Sequence, residues 1–207
     1  MFIEQVPNLF RRLYPQALWR INPQEKAVYL TFDDGPIPLV TPWVLSQLKH
    51  EGVKATFFMV GDNVRKYPEI YQMVVDDGHA IGNHTYHHIS GGRHTSARYL
   101  KDADLANELL HTRLFRPPHG WMRWEQYIVL RHYYKIVMWD VITRDYSKKL
   151  RGPQVLANVM KYTRRGSIIT FHDSLKSWNN GNLQYALPAA IRFLKSEGYE
   201  FKTIPMK

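Results

Sequence analysis

Residues 31–36 read TFDDGP, and they follow the apolar run AVYL at residues 27–30. A β-rich run that stops at two carboxylates and a Gly-Pro breaker predicts a strand that carries charge to its carboxyl end. Neighbouring residues of a strand point to opposite sides, so we expect Asp33 and Asp34 to face different surroundings, unless the strand is already breaking into a loop at this point. The stretch also suits a simple turn, because Asp and Gly are common turn residues. On its own it leaves a turn and a functional site as alternatives.

Strand-like and helix-like stretches alternate along the rest of the chain. Further strands are predicted at residues 55–60, 79–82, 114–116, 135–139, 167–171 and 199–203. Helices are predicted between most of them, and the first helix has Thr41 as its N-cap, followed by proline. Strands separated mostly by helices imply an α/β fold with a parallel sheet, either open or closed into a barrel.

The composition indicates one globular domain. The chain has 207 residues, of which 44% are hydrophobic, and it has no cysteine. Its 28 basic and 18 acidic side chains give a net charge of +10, which attracts anionic partners in general. The basic residues are scattered and form no long run, so we expect no nucleic-acid partner.

The first 25 residues are predicted to form a helical extension packed on the main domain, which spans residues 26–207. Apolar residues recur at helical spacing over residues 8–21, with arginines around them, although Pro15 would shorten or kink this helix. The helix packs over the end of the sheet or, alternatively, makes a weak peripheral contact with an anionic membrane. Because the N-terminus lacks signal-peptide features and no segment has membrane-spanning length, we expect a cytoplasmic location.

Polar residues gather where the predicted strands end. Asp33 and Asp34, the histidines at 84–88, Arg116, Asp145 and His172 all follow the carboxyl end of a strand. In a parallel sheet these ends share one face, so residues that are distant in sequence are expected to converge on one site.

Two of the histidines have the spacing of metal ligands. His84 and His88 are four residues apart, so both imidazoles can reach one ion if the segment is helical, and Asp34 can supply a third ligand. Two histidines and one carboxylate leave a position open for water and suit zinc, although iron, cobalt and nickel use similar sets. His87 can replace His88 at a spacing of three. Other candidate ligands are His79, His94 and His119.

Together these motifs resemble the polysaccharide deacetylase family, the NodB-homology carbohydrate esterases. The resemblance rests on TFDDGP at residues 31–36, the His84/His88 pair, RPP at residues 116–118 and His172-Asp173, and it covers residues 26–204. It implies a distorted (β/α)7 barrel. It also implies that Asp34, His84 and His88 bind one divalent metal ion.

The resemblance implies roles for four further residues. Asp33 would be the general base and would pair with Arg116. His172 would be the general acid, and Asp145 would orient it. Each role is chemically reasonable, because an arginine keeps a carboxylate ionised and a carboxylate keeps an imidazole protonated.

The chain departs from the family pattern at several positions. Ile142 stands where the family commonly has Asp, Tyr146 where it has Trp, His119 where it has Tyr, and Thr170 where it has Leu. These changes affect substrate identity more than catalysis. We expect three residues to contact the substrate, namely His119, Tyr146 and Trp121.

The function predicted from the resemblance is metal-dependent removal of acetyl groups, N-acetyl or also O-acetyl, from a carbohydrate. Two alternatives stay open. The chain is a non-catalytic carbohydrate-binding protein on the same fold, or it is an amidohydrolase that acts on a non-sugar amide.

Overall fold

The computed structural model of the protein describes residues 4–7 and 11–206. Strands and helices alternate along most of this length. The strands are β1 (Ala27–Asp33), β2 (Thr56–Met59), β3 (Ala80–Asn83), β4 (Leu114–Phe115), β5 (Lys135–Ile136), β6 (Val141–Ile142), β7 (Ile168–His172) and β8 (Glu200–Phe201). The α-helices are α1 (Val40–His50), α2 (Gly61–Lys66), α3 (Pro68–Asp76), α4 (Ser96–Leu110), α5 (Trp124–Tyr133), α6 (Gly152–Tyr162), α7 (Leu175–Asn179) and α8 (Asn182–Ser196).

The strands form one parallel sheet in the order β5-β4-β3-β2-β1-β7-β6, and β8 pairs with the start of β1. Strand β1 is central and pairs with β2 and with β7, in register Asp33 to His172. The sheet curls into an incomplete barrel, which confirms the predicted distorted (β/α)7 architecture.

Strand β1 is buried on both faces, as expected for a parallel sheet covered by helices. Val28, Leu30 and Phe32 belong to the main core between the sheet and its helices, whereas Tyr29 belongs to a small cluster with residues of other strands. Side chains alternate along a strand, so Asp33 shares the face of Tyr29 and points to the inside of the barrel.

The bounds of several elements differ from the sequence predictions. Strand β6 was not predicted, because two residues are too short to give a pattern. The predicted strand at 135–139 ends at Ile136. Helix α1 begins at Val40, so the prediction of Thr41 as N-cap was wrong. The Thr41 hydroxyl instead donates to Asp173 Oδ2 over 2.6 Å.

The N-terminal segment runs along the open edges of the sheet rather than forming the predicted helix. Residues 12–17 are turns and bends, and Leu18 forms a parallel bridge with Val137. The helix prediction for residues 8–21 is therefore wrong beyond residue 11, and residues 8–10 lie outside the described residues. Pro15 interrupts helical pairing, and the backbone that follows supplies partners for the edge of the sheet, as in the Leu18 N–H bond to Ile136 O.

Aromatic side chains anchor this segment. Tyr14 and Trp19 are buried, and the Tyr14 hydroxyl donates to the carbonyl of Met122 over 2.6 Å. Within residues 4–7 and 11–206, no helix combines the length and the apolar character needed to cross a bilayer.

Candidate active site

A cavity of about 430 Å³ opens at the carboxyl ends of the strands. Loops that follow β1, β3, β4, β6 and β7 all contribute to it, so the convergence expected for a parallel sheet is present. Its lining residues are Asp33, Asp34, His84, His88, His119, Gly120, Trp139, Ile142, Arg144, Tyr146, His172 and Lys176.

Asp33 forms a buried ion pair with Arg116. Arg116 Nη1 lies 2.6 Å from Asp33 Oδ1, and the guanidinium is fully buried. Further N–H groups of Arg116 donate to the Thr31 hydroxyl and to the carbonyls of Val137 and Met138. The Arg116 Cζ lies over the ring of Phe58, 4.1 Å from its centroid. Each of the three guanidinium nitrogens has a hydrogen-bond partner, which holds Asp33 and Arg116 in one arrangement, and removing one partner of such a pair costs about 3–5 kcal/mol. The predicted pairing of the two residues is confirmed.

Asp34 contacts the two histidines rather than Arg116. It lies past the end of β1 with a φ of 88°, so the turn and not the alternation along a strand sets its direction, and it lines the same cavity as Asp33. Asp34 Oδ1 lies 3.2 Å from His88 Nε2 and 3.9 Å from His84 Nε2. Potential ligand atoms of the three residues all lie within 4.8 Å of one another. Burial opposes ionisation of Asp34, but the hydrogen bond with His88 and the neighbouring charge of His172 hold its pKa below the usual value.

The donor set of Asp34, His84 and His88 fits a divalent metal ion. His84 Nδ1 lies 2.7 Å from the carbonyl of Arg116, so Nδ1 carries the proton and Nε2 presents its lone pair towards Asp34. Burial lowers the pKa of His84 to about 4, which keeps the ring neutral, as a ligand must be.

The loop that carries these histidines is not helical, contrary to the condition attached to the predicted spacing. Residues 84–88 have no regular structure, and Thr85 and His88 have φ values of 62° and 54°. His84 and His88 therefore converge through left-handed backbone at two non-glycine positions, each of which costs on the order of 1–2 kcal/mol. Asp34 and His119 also have positive φ, so strained backbone is concentrated at the site.

The alternative histidines lie elsewhere or play other parts. His87 turns away, and its Nδ1 lies 2.6 Å from Asp102 Oδ2. His79 precedes β3 at the opposite end of the strand, where its Nδ1 accepts from the Ala55 N–H. His94 is not in the metal-type cluster formed by described residues. His119 lines the cavity, and its ring centroid lies 4.8 Å from that of His88.

His172 is held by Asp145 through two hydrogen bonds. Its Nδ1–H donates to Asp145 Oδ1 and its backbone N–H donates to Oδ2, each over 2.8 Å, which confirms the predicted contact. Burial disfavours the charged ring, but the ionised Asp145, with further help from Asp34 and Asp33, raises the pKa of His172 to about 9.

Two asparagines of the segment after β7 support Asp145 from behind. The side-chain amides of Asn180 and Asn182 donate to the carbonyl of Asp145 over 2.9 and 3.0 Å. Asp145 itself is fully buried. The carboxylate therefore has a fixed position against His172.

The predicted substrate contacts are only partly brought together. Tyr146 lines the cavity, with its ring 4.7 Å from and nearly perpendicular to that of His172. His119 also lines the cavity. The indole of Trp121 does not: it is half-exposed and packs edge-on against Tyr14, 6.5 Å between centroids. Sequence reasoning missed four lining residues, because none stands at a position that a motif specifies. They are Gly120, Trp139, Arg144 and Lys176.

The chain is similar to known proteins both in sequence and in fold. The sequence profile described as polysaccharide deacetylase matches residues 20–129 of the 207. The chain belongs to the polysaccharide deacetylase family. It is similar to a peptidoglycan-N-acetylglucosamine deacetylase of Bacillus cereus, with 34% identity over 196 residues that cover 89% of this chain and 69% of the relative.

Solved structures of the family superpose closely. A crystal structure of a peptidoglycan N-acetylglucosamine deacetylase in complex with an N-hydroxybenzamide has a TM-score of 0.87 and 31% identity, and covers 97% of this chain and 95% of its own. A pseudoenzyme of the same family from Bacillus anthracis has a TM-score of 0.81 and 28% identity, and covers 92% and 68% of the two chains. The fold is therefore shared by relatives with and without activity.

The departures from the family motifs have definite positions in this polysaccharide deacetylase fold. Ile142 and Tyr146 line the cavity wall beside His172. Thr170 is buried, and its hydroxyl lies 3.0 Å from that of Thr31, which accepts from Arg116. Thr170 therefore extends the hydrogen-bond network of Arg116, which a leucine at this position could not do.

Proposed function

We propose that this protein is a metal-dependent hydrolase that removes the N-acetyl group from an amino sugar of a glycan. The observation that carries the proposal is the single cavity in which a metal-type triad, an arginine-paired carboxylate and a carboxylate-paired imidazole all meet. The names of its relatives support a glycan that contains N-acetylglucosamine.

Asp34, His84 and His88 would hold one divalent ion, for which zinc suits the donors best, with iron, cobalt and nickel as alternatives. A bound ion would supply Lewis acidity, which lowers the pKa of water and polarises an amide carbonyl. The distances between the three donors and the neutral state of His84 support this assignment.

Asp33 would accept a proton from the attacking water. Arg116 engages Oδ1 of Asp33, which leaves Oδ2 as the oxygen for proton transfer. A general base needs a carboxylate oxygen within reach of the water, and Oδ2 is the oxygen available for this role.

His172 would donate a proton to the departing nitrogen. An amine is a poor leaving group unless it is protonated as it departs, so amide hydrolysis needs an acid at this point. With its pKa raised to about 9, His172 is cationic at neutral pH, and Nδ1 is occupied by Asp145. Its Nε2–H is therefore the donor that faces the cavity.

The cavity wall would orient the sugar. Tyr146, Trp139 and His119 give it aromatic surface, and a backbone N–H at His119 would stabilise the negative charge that develops on the carbonyl oxygen. We retain His119 and Tyr146 as proposed substrate contacts and do not retain Trp121, because of its position beside Tyr14.

The decisive experiment is release of acetate from N-acetylated and O-acetylated glycan fragments, with zinc or another defined divalent ion added. Peptidoglycan fragments and chitooligosaccharides are the first substrates, and a simple acetanilide is the non-sugar amide. Asp33→Asn should keep the metal and the sugar but lose turnover, because an amide cannot accept the proton. The change also removes the counter-charge of the buried Arg116, so thermal unfolding checks that the variant is folded. Asp76→Asn, a change of an exposed carboxylate on α3, is the matched control.

A non-catalytic carbohydrate-binding role is the second candidate, and the pseudoenzyme among the structural relatives favours keeping it. It predicts that the wild-type protein binds the fragments but releases no acetate with any metal. Preference for the acetanilide over every glycan would instead identify an amidohydrolase of non-sugar amides. Either result would overturn the proposal.

A further inference from the structure

The loop at residues 84–88 needs support from outside itself. It places His84 and His88 beside Asp34 with left-handed backbone at Thr85 and His88. Left-handed conformations at non-glycine residues persist only where surrounding contacts determine them. The residues that hold this loop therefore decide whether the two imidazoles converge.

Two helices hold the middle of this loop. The N–H groups of Gly61 and Asp62 on α2 donate to the carbonyls of Thr85 and Tyr86, and Asp102 on α4 accepts from the loop through its side chain and through its backbone carbonyl, 3.1 Å from the Tyr86 nitrogen. Asp102 Oδ1 accepts from the backbone N–H of Tyr86 over 2.8 Å and from that of His87 over 2.9 Å. Its Oδ2 lies 2.6 Å from His87 Nδ1. One carboxylate thus takes three hydrogen bonds from the two residues that lie between Thr85 and His88.

Helix α4 also holds the start of the loop. The side-chain amide of Asn83 donates to the carbonyl of Ala103 over 2.8 Å, and Asn83 Oδ1 accepts from the N–H of Thr85. Adjacent residues of α4, Asp102 and Ala103, therefore anchor both sides of the turn. Asp102 is 7% exposed, so water competes little for these bonds.

We infer that Asp102 is a positioning residue, which holds the backbone of residues 86–87 so that His84 and His88 are preorganised for one metal ion. The inference rests on the proposed metal site. Asp102 lies outside the motifs that carry the family resemblance. It touches neither the ion nor the substrate, and it acts through the loop. Residues that orient metal ligands typically change metal affinity by 10–100-fold when they are replaced.

The test is the affinity of the purified chain for Zn²⁺ alone, measured by competition with a chromophoric chelator. Asp102→Ala should weaken zinc binding by at least tenfold, because the His87 N–H loses its acceptor and the Tyr86 N–H keeps only the backbone carbonyl of Asp102. Asp102→Ser should weaken zinc binding to a similar extent, since the serine side chain is too short for its hydroxyl oxygen to reach the N–H groups of Tyr86 and His87. Asp102→Asn keeps one oxygen and should lie between Ala and wild type.

Two controls separate positioning from general stability. Asp104→Asn changes an exposed carboxylate on the same helix and should leave zinc affinity unchanged. His87→Ala removes the Oδ2 contact but leaves both amide bonds, so its loss should stay below threefold. Amide hydrogen exchange at residues 86–88 of the metal-free protein should accelerate in Asp102→Ala and not in Asp104→Asn.

Wild-type zinc affinity in folded Asp102→Ala or Asp102→Ser would overturn the inference, and so would an Asn variant no better than Ala. If Asp102→Ala does not fold, the Ser and Asn variants decide the question. A failure of the proposed metal site would give a different result: the wild type would bind no zinc, or zinc binding would survive His84→Ala. Zinc binding that needs His84 but not Asp102 would refute the positioning role alone.

Discussion

Replacing Asp145 with Asn should shift the alkaline limit of amide hydrolysis downwards. Asp145 is the largest source of the raised pKa of His172, through its charge and through the hydrogen bond to Nδ1. An asparagine has no charge, and its amide group can present a donor to Nδ1, which disfavours the imidazolium. Without the charge of Asp145, the effect of burial prevails, and the pKa of His172 falls.

The size of the shift follows from the pKa values. If the pKa of His172 falls from about 9 to about its ordinary 6.5, the protonated fraction at pH 8 falls about 30-fold, and at pH 7 about fourfold. The wild-type pH–rate profile should therefore stay level to about pH 9, whereas that of Asp145→Asn should decline from about pH 6.5. An ester should suffer less than an amide, because an alkoxide leaves more readily than an amine.

The assay is kcat/KM for acetate release between pH 5 and 10, with amide and ester substrates and zinc at saturation. Tyr146→Phe is the matched control, because its ring contacts His172 without supplying a charge and should not move the limit. An Asp145→Asn profile with an unmoved alkaline limit and equal losses for amide and ester would refute the assignment of Asp145 and His172.

Three further predictions concern the metal site, a buried carboxyl and the cavity wall. The protein should bind about one divalent ion, and His88→Ala should abolish binding in a zinc titration; full occupancy in that variant would contradict the triad. Burial raises the pKa of Asp173 to about 8, above its unfolded value, so its stabilising contribution is present at acid pH and is lost as the pH rises towards 8. Between pH 5 and 8, urea unfolding of metal-free protein should show Asp173→Asn gaining at least about 1.4 kcal/mol on wild type, and a constant difference would contradict the protonated state. Gly120→Ala should destabilise by about 2 kcal/mol and raise KM, because φ is +69° and the new Cβ would lie 2.2 Å from Trp139; unchanged thermal unfolding would contradict this.

The sequence alone determined the order of strands and helices and the end of the sheet at which the chemistry lies. Buried strands have apolar runs, and charged residues that follow them, such as Asp33, Arg116 and His172, can only be placed at a strand end. The alternation rule does not extend to Asp34, because the strand ends at Asp33 and Asp34 has a φ of 88°.

Only the tertiary structure decided how the loops hold these residues. The turn at residues 84–88 is not helical, and its backbone is hydrogen-bonded to Asp102 and to the start of α2, two contacts that periodicity cannot relate to the loop. The buried surroundings of Arg116 and the exclusion of Trp121 from the cavity likewise depend on residues far apart in sequence. The N-terminal segment shows the same limit, since its apolar spacing is typical of a helix, but the open edge of the sheet offers its backbone better partners. Periodicity reports which residues are buried, whereas the partners of a buried polar group are set by the packing of distant segments.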